Sequence, residues 1–352
     1  MFVESCGKFV AVFAICSWAM NASAQSATLY GIVDSGIYYQ SKSAGNKGAI
    51  FGALDGGDYP SIYGLMGSED LGGGLTAGFK LEGGFSSTSG AFGNSNGGIF
   101  GRNAYVSLGN EFGTVRAGLQ FSPFFTTVVI NGDPRGAPNN GSMLPIYLDN
   151  FLIAGMFDSN SIVYLSPKIA GFSGSFEYAP GGAPGSLLNG QRISASVSYE
   201  SGALGGDLAY YQSRDVSSGK VTLLGRSADL RYTLGSVRFA VGGTNFRNTS
   251  GSIGTNVYVI DGGANWQVTP VLGLNGAVYY SFDKTTKQNQ STMVAIGSTY
   301  SLSKRTSLYA QAAYVQNRGT MGTGINANAN GQFGGLPEGG TSSVNIGIRH
   351  LF

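Results

Sequence analysis

Residues 75–85, LTAGFKLEGGF, alternate in character at every step. Leu75, Ala77, Phe79, Leu81 and Phe85 share one parity, while Thr76, Lys80 and Glu82 share the other. A period of two is that of a β-strand, whose successive side chains point to opposite faces. The pattern recurs along the chain. Asp34 opposes Leu29, Val33 and Ile37; Arg192 and Glu200 oppose Ile193, Val197 and Tyr199; Asp261 opposes Tyr258, Ile260 and Trp266; Arg349 opposes Val344, Ile346 and Ile348. Each strand thus has one apolar face and one face that carries charge. In a soluble sandwich the apolar face looks into a protein core, and in a membrane barrel it looks at lipid.

Sixteen runs carry this alternation, near 27–39, 61–69, 75–86, 99–108, 113–120, 161–166, 171–179, 191–200, 204–213, 221–233, 236–246, 256–268, 271–283, 292–302, 306–316 and 343–352. Many match the roughly 9–11 residues that a tilted membrane strand needs. The gaps alternate in length. DLGGG (70–74), GNEF (109–112), PKIAG (167–171) and SKRT (303–306) are tight turns, whereas 86–98, 180–190 and 317–342 are long polar loops. Short turns at one rim and long loops at the other describe a bacterial outer-membrane barrel. A soluble fold of the same strands, a two-sheet adhesin or a β-solenoid, would bury many unpaired charges at several kcal/mol each. The reading is all-β: a sixteen-stranded antiparallel transmembrane β-barrel with short periplasmic turns and long extracellular loops.

Composition agrees. Charged residues make up 11% of the chain, against roughly 25% in ordinary soluble domains, and there are 58 glycines. Mean hydropathy of +0.04 is too low for a bundle of apolar helices, but lipid-facing and lumen-facing residues average out in a barrel. A net charge of +2 gives no reason to expect nucleic acid.

The N-terminus reads as an export address. Lys8 precedes the apolar run FVAVFAICSWAM, and Ala22-Ser23-Ala24 supplies small residues for cleavage. Residues 1–24 are expected to be a removed signal peptide, with residues 25–352 as a single barrel; the run is shorter than the roughly 20 residues of a spanning helix. Lipid attachment at Cys16 is disfavoured by Phe13 and Ile15. Both cysteines lie in this segment, so no disulfide is expected in the mature chain.

Three stretches, TLYGIVDSGI (28–37), YGLMGSEDLGGGLTAGFKLEGGF (63–85) and SVNIGIRHLF (343–352), resemble the general-diffusion porins of Gram-negative bacteria, particularly the beta-proteobacterial kind. FGTVRAGLQFSP (112–123), SIVYLSPKIAGFSGSFEYA (161–179) and LSKRTSLYAQAAYVQN (302–317) follow the same likeness in order. The resemblance implies a trimer of barrels in the outer membrane, in contact with lipid and lipopolysaccharide. It also implies passive diffusion of small hydrophilic solutes, with an inward-folded third loop narrowing each lumen. Phe352, the terminal aromatic, resembles the signal read by the outer-membrane assembly machinery. A structural or adhesive barrel with no open channel is the alternative.

Residues 121–160 lack strand period and are the candidate constriction loop; such long stretches are uncommon and often functional. A loop lying over the rim is the other reading. Within it NGDPRGAPNN is the most turn-prone segment, so Asp133 and Arg135 are its expected charged tips. Porin selectivity comes from pore width and walls of charge. Arg116 lies on the polar parity and also matches a family arginine, so it is expected to face the loop across the channel. Arg102 matches a family position, but its parity with Ala104, Val106 and Leu108 points outward unless the strand end redirects it. Lys80 and Arg349 are inward by alternation. Where related porins carry arginine, this chain has Ile62 and Leu119, so the basic wall looks thinned and a weak anion preference or little selectivity is expected.

Aromatics near strand ends, Tyr39, Tyr199, Trp266 and Phe282, are expected to form interfacial girdles. Gly31, Ala77 and Gly83 are candidates for close contact between barrels. Catalysis has no foothold: His350, the single histidine, falls on the lipid-facing parity, and no His/Cys cluster could hold zinc. No metal and no cofactor is expected.

Overall fold

The computed structural model describes residues 27–250, 254–327 and 336–352. The signal-peptide reading of residues 1–24 lies outside them. Seventeen strands form one sheet of antiparallel neighbours that closes on itself, β1 pairing with β17. They are β1 (Thr28–Gln40), β2 (Ile50–Asp55), β3 (Ile62–Gly72), β4 (Leu75–Gly84), β5 (Asn103–Asn110) and β6 (Gly113–Gln120). After the third long loop come β7 (Asp158–Leu165), β8 (Phe172–Ala179), β9 (Arg192–Ser201), β10 (Leu204–Arg214), β11 (Val221–Leu234) and β12 (Val237–Asn248). The wall ends with β13 (Thr255–Gln267), β14 (Leu272–Asp283), β15 (Gln290–Ser301), β16 (Thr306–Arg318) and β17 (Gly339–Leu351).

The barrel is sixteen-stranded because β2 and β3 are two halves of its second strand. β2 pairs with Ser35 to Gln40 of β1, and β3 pairs with Thr28 to Ile32. The alternation reading found β3 and missed β2, a short run whose pattern is cut by residues 56–61. That break has a physical reason. It turns backbone N–H groups of Gly57, Asp58 and Tyr59 onto the Asp34 carboxylate, which also receives the Tyr309 hydroxyl. A carboxylate buried in the wall gains donors there that a continuous ladder would withhold.

The outer surface is what the alternation implies. Leu29, Ile37, Val106, Leu208, Leu230, Val241, Ile260, Ile296 and Ile346 are all exposed in the single barrel, while Asp34, Glu82, Asp207, Asp229 and Asp261 on the other parity are buried. Burial of charge beside exposed leucine inverts the soluble pattern and fits a wall whose outside is lipid.

Residues 121–157 leave the wall and fold into the lumen, so the rim-lying alternative does not hold. They are not structureless, as the lack of strand period suggested. A helical turn at Pro123–Phe125 is capped by the Ser122 hydroxyl and continues as a π-type turn over Thr126–Asn131. A helix at Met143–Phe151 is capped by Ser142, whose hydroxyl accepts from Leu144 N–H. Phe124, Tyr147 and Phe151 pack with Tyr211 and Phe246 of the wall, the Phe151–Phe246 centroids lying 5.1 Å apart. The apolar core continues onto Val257, Val259, Met293 and Val315, inward residues of β13, β15 and β16. The protein therefore holds an apolar core inside a barrel whose outside is also apolar.

Candidate constriction of the channel

The third loop packs along the wall from β8 round to β16, and through Asn139 and Asn140 it reaches the strand break at Gly56 and Asp58, and Ser343 of β17. Its tip is pinned rather than free. Asp133 accepts from the backbone N–H of Arg135 (2.7 Å) and Met143 (2.5 Å) and from the Tyr279 hydroxyl on β14 (3.1 Å). Arg135 donates from Nε to Asn275 Oδ1 (2.7 Å) and from Nη1 to the Asn140 carbonyl (2.7 Å). Asn265 of β13 donates to the Pro134 carbonyl, and Arg238 of β12 donates to the Asn131 carbonyl. Asp133 and Arg135 are only 1% and 3% exposed. Burial pushes the Asp133 carboxyl above its ordinary value and the Arg135 guanidinium below its own, with local hydrogen bonds and mutual attraction opposing. The two do not stand as open charged tips facing Arg116 and Arg102: the turn chemistry of this segment could not show the wall residues that cover it.

On the opposite wall, Glu82 of β4 gathers four donors. They are Lys80 Nζ (3.0 Å), Arg102 Nε (2.9 Å), Asn103 Nδ2 (3.1 Å) and the Tyr30 hydroxyl (2.8 Å). Arg102 points inward, not outward as its parity implied. It precedes β5, where the chain still runs in the loop, and its guanidinium lies 5.5 Å from the Phe121 ring and 5.9 Å from the Phe157 ring, at the two roots of the third loop. It is 4% exposed. Lys80 is the more open of the pair, with 29% of its side chain accessible.

Arg116 of β6 faces the lumen half-buried, its guanidinium 5.0 Å from the Tyr105 ring centroid. Among the described residues it has no ion pair. It lines a cavity of ≈ 210 Å3 with Gln120, Thr127, Asn131 and Ser175. Arg349 of β17 is inward as expected and pairs with Asp58 at 2.6 Å. Arg349, Arg135 and Arg238 line a further cavity of ≈ 380 Å3 around Asp58. Asp58 and Arg238 were not singled out from the sequence. Arg238 lay within reach, since it alternates with Val237 and Phe239 in a recognised strand. Asp58 did not, because it sits in the strand break.

Phe352 ends the chain on the barrel seam. Its N–H and C=O exchange hydrogen bonds with Gly31, and its ring lies where a Cβ on Gly31 would stand. Gly83 is likewise covered by Tyr63 and the Ile99 carbonyl. Both glycines serve contacts within the chain, so neither is free for the barrel-to-barrel approach expected of them.

Comparisons with known proteins agree with this architecture. The family model described as Gram-negative porin matches residues 10–320. The chain is 32% identical to outer membrane porin protein 32 of Delftia acidovorans, over 97% of this chain and 98% of that one. It is 28% identical to major outer membrane protein P.IB of Neisseria gonorrhoeae, over 84% and 90% of the two chains. Among solved structures, the anion-selective porin from Comamonas acidovorans superposes with a TM-score of 0.80 at 28% identity, covering 94% of this chain and all of that one. A closed sixteen-strand barrel with lipid-type outer rows, a loop folded into its lumen and a family match over most of its length lead to one conclusion: the chain belongs to the Gram-negative porins and forms a passive diffusion channel in the outer membrane.

Proposed function

We propose that the channel passes small hydrophilic solutes with a preference for anions, and that Arg116, seconded by Lys80, sets that preference. One observation carries it. On the wall formed by β4 and β6, Arg116 has no carboxylate partner among the described residues, whereas the carboxylate Glu82 is engaged by two cations. The surplus charge facing water there is positive. Unlike charges several Å apart beside a low-dielectric wall attract by roughly a few kcal/mol before screening, enough to bias entry without trapping the ion. Similarity to the anion-selective porin from Comamonas acidovorans supports this direction. Arg102, Arg135 and Arg349, each held by protein partners, act as structural cations that add background field.

The test is the reversal potential in a salt gradient across a planar bilayer. Wild-type channels should favour the anion, and Arg116→Gln should move the potential toward the cation with barrel stability intact. An unchanged potential would remove Arg116 from this role.

The same reading makes the assembly a homotrimer exported by cleavage after Ala24, recognised through Phe352 by the insertion machinery, with outer-leaflet lipopolysaccharide around the wall. It is a channel and not an enzyme. A structural barrel without a channel would give no conductance steps.

A further inference from the structure

The outward face of β11–β14 carries charge that lipid would not ask for. On β11, Gly225 faces the lumen against Phe124, so Arg226 points outward with Ala228 and Leu230. On β12, Phe246 belongs to the inner core and Arg247 points outward with Val241. Lys284, just beyond β14, lies 4.3 Å from the ring centroid of Tyr258, an outward residue of β13. The three cations are exposed, and among the described residues none has an ion pair or a side-chain hydrogen bond. The carboxylates of the same strands, Asp229, Asp261 and Asp283, are all inward and buried.

The register draws these cations together. Arg226 sits opposite Asn245, two residues before Arg247 on the same face of β12. Arg247 sits opposite Asn256, and the backbone N–H of Lys284 bonds the Asn256 carbonyl. Between them Asn245 donates from Nδ2 to Asn256 Oδ1 at 2.8 Å. The result is a polar patch with three cations around its edge.

Its depth is set by its neighbours. Tyr210, Tyr258 and Phe282 lie in the same cross-strand row as Arg226 and Asn245. Aromatic rings of this kind mark the lipid–water boundary. The patch lies at the long-loop rim, so that boundary is the headgroup level of the outer leaflet. Just below, Ala228 pairs with Gly243, where a Cβ would meet nothing within 4 Å. The wall is therefore shallow where acyl chains would descend. On the barrel's circumference this sector lies opposite β3–β6.

We propose that Arg226, Arg247 and Lys284 form a binding site for the phosphate groups of a phosphorylated glycolipid of the outer leaflet, with its acyl chains lying over Ala228 and Gly243. This rests on the reading that lipopolysaccharide surrounds the wall, and assigns that contact to one sector. Charge complementarity is its basis: three unpaired cations at headgroup depth, with no carboxylate beside them, match a multiply charged phosphate headgroup.

Delipidated protein in mild detergent would be titrated with lipid A carrying its phosphates and with the dephosphorylated lipid, read by native mass spectrometry. Wild type should bind the phosphorylated form about tenfold or more tightly, and inorganic phosphate should not displace it. The triple variant Arg226→Gln, Arg247→Gln, Lys284→Gln should bind both lipids alike while its single-channel conductance stays that of wild type. If the triple variant keeps the full discrimination, the site is elsewhere and the lipopolysaccharide reading survives. If wild type does not discriminate, or free phosphate displaces the lipid, the proposal fails. If wild type binds neither lipid, both readings fail.

Discussion

Single residues divide into those that face water and those that hold the loop, and their substitutions should read differently. Asp133 accepts three hydrogen bonds, two of them from the backbone of its own loop and one from Tyr279. Asp133→Asn leaves one oxygen and sets an amide donor against the others, a cost of roughly 1–3 kcal/mol at a buried site. We expect noisier and larger conductance steps rather than the clean reversal-potential shift that an exposed tip would give; single-channel recordings distinguish the two. Inward position was legible for Lys80, Arg116 and Arg349, because alternation assigns parity within a regular strand. It failed for Arg102, where the strand had not yet begun and parity has no meaning. It was also silent on pairing, so Asp133 and Arg116 looked equivalent in the sequence when one is buried and the other meets water.

At the scale of elements, the Met143–Phe151 helix is latched to the last long loop. Asp149 accepts from the backbone N–H of Gly324 at 2.5 Å. Burial pushes its carboxyl up to about 8 from 3.8, the hydrogen bond opposing. With the seated loop holding the proton more tightly than the released one, seating is favoured at low pH. That advantage is lost progressively as pH rises from about 4 towards 8 and stays lost above. Channel noise should therefore increase with pH across this window, and Asp149→Asn should flatten the dependence; a noise–pH profile that Asp149→Asn leaves unchanged would remove the latch. The helix itself is legible in the sequence: Ser142 precedes an apolar run suited to a helix, and absence of strand period does not argue against one. The loop's seat was discernible too. Val257-Tyr258-Val259-Ile260 and Met293-Val294-Ala295-Ile296 are apolar on both parities, which a wall between lipid and water has no reason to be. A strand greasy on both faces marks where something packs from within.

For the molecule as a whole, closure depends on the first and last strands meeting. Ile32 to Gln40 pairs with β17, and Phe352 extends the seam to Gly31. Deleting Phe352 removes two backbone hydrogen bonds and a ring from that seam. We expect lower outer-membrane yield with export across the inner membrane unchanged, measured by fractionation; normal yield would separate the seam from assembly. Closed barrels have no free edge, so association must use side-chain surface. An unheated detergent gel should show a species of about three chains, and the Gly31 and Gly83 contacts place little of that interface on those glycines.

The apolar core described inside the lumen has solvent access that the outer wall lacks. Urea and guanidinium dissolved in water reach Phe124, Tyr147 and Phe246 through the vestibules, while the outer rows stay shielded by detergent or lipid. The protein should thus melt from the inside out. At moderate denaturant the tyrosines and phenylalanines of the loop core would lose their near-ultraviolet circular dichroism while the far-ultraviolet β signal persisted. Conductance would rise, not fall, over the same range, because the first thing to unfold is the obstruction.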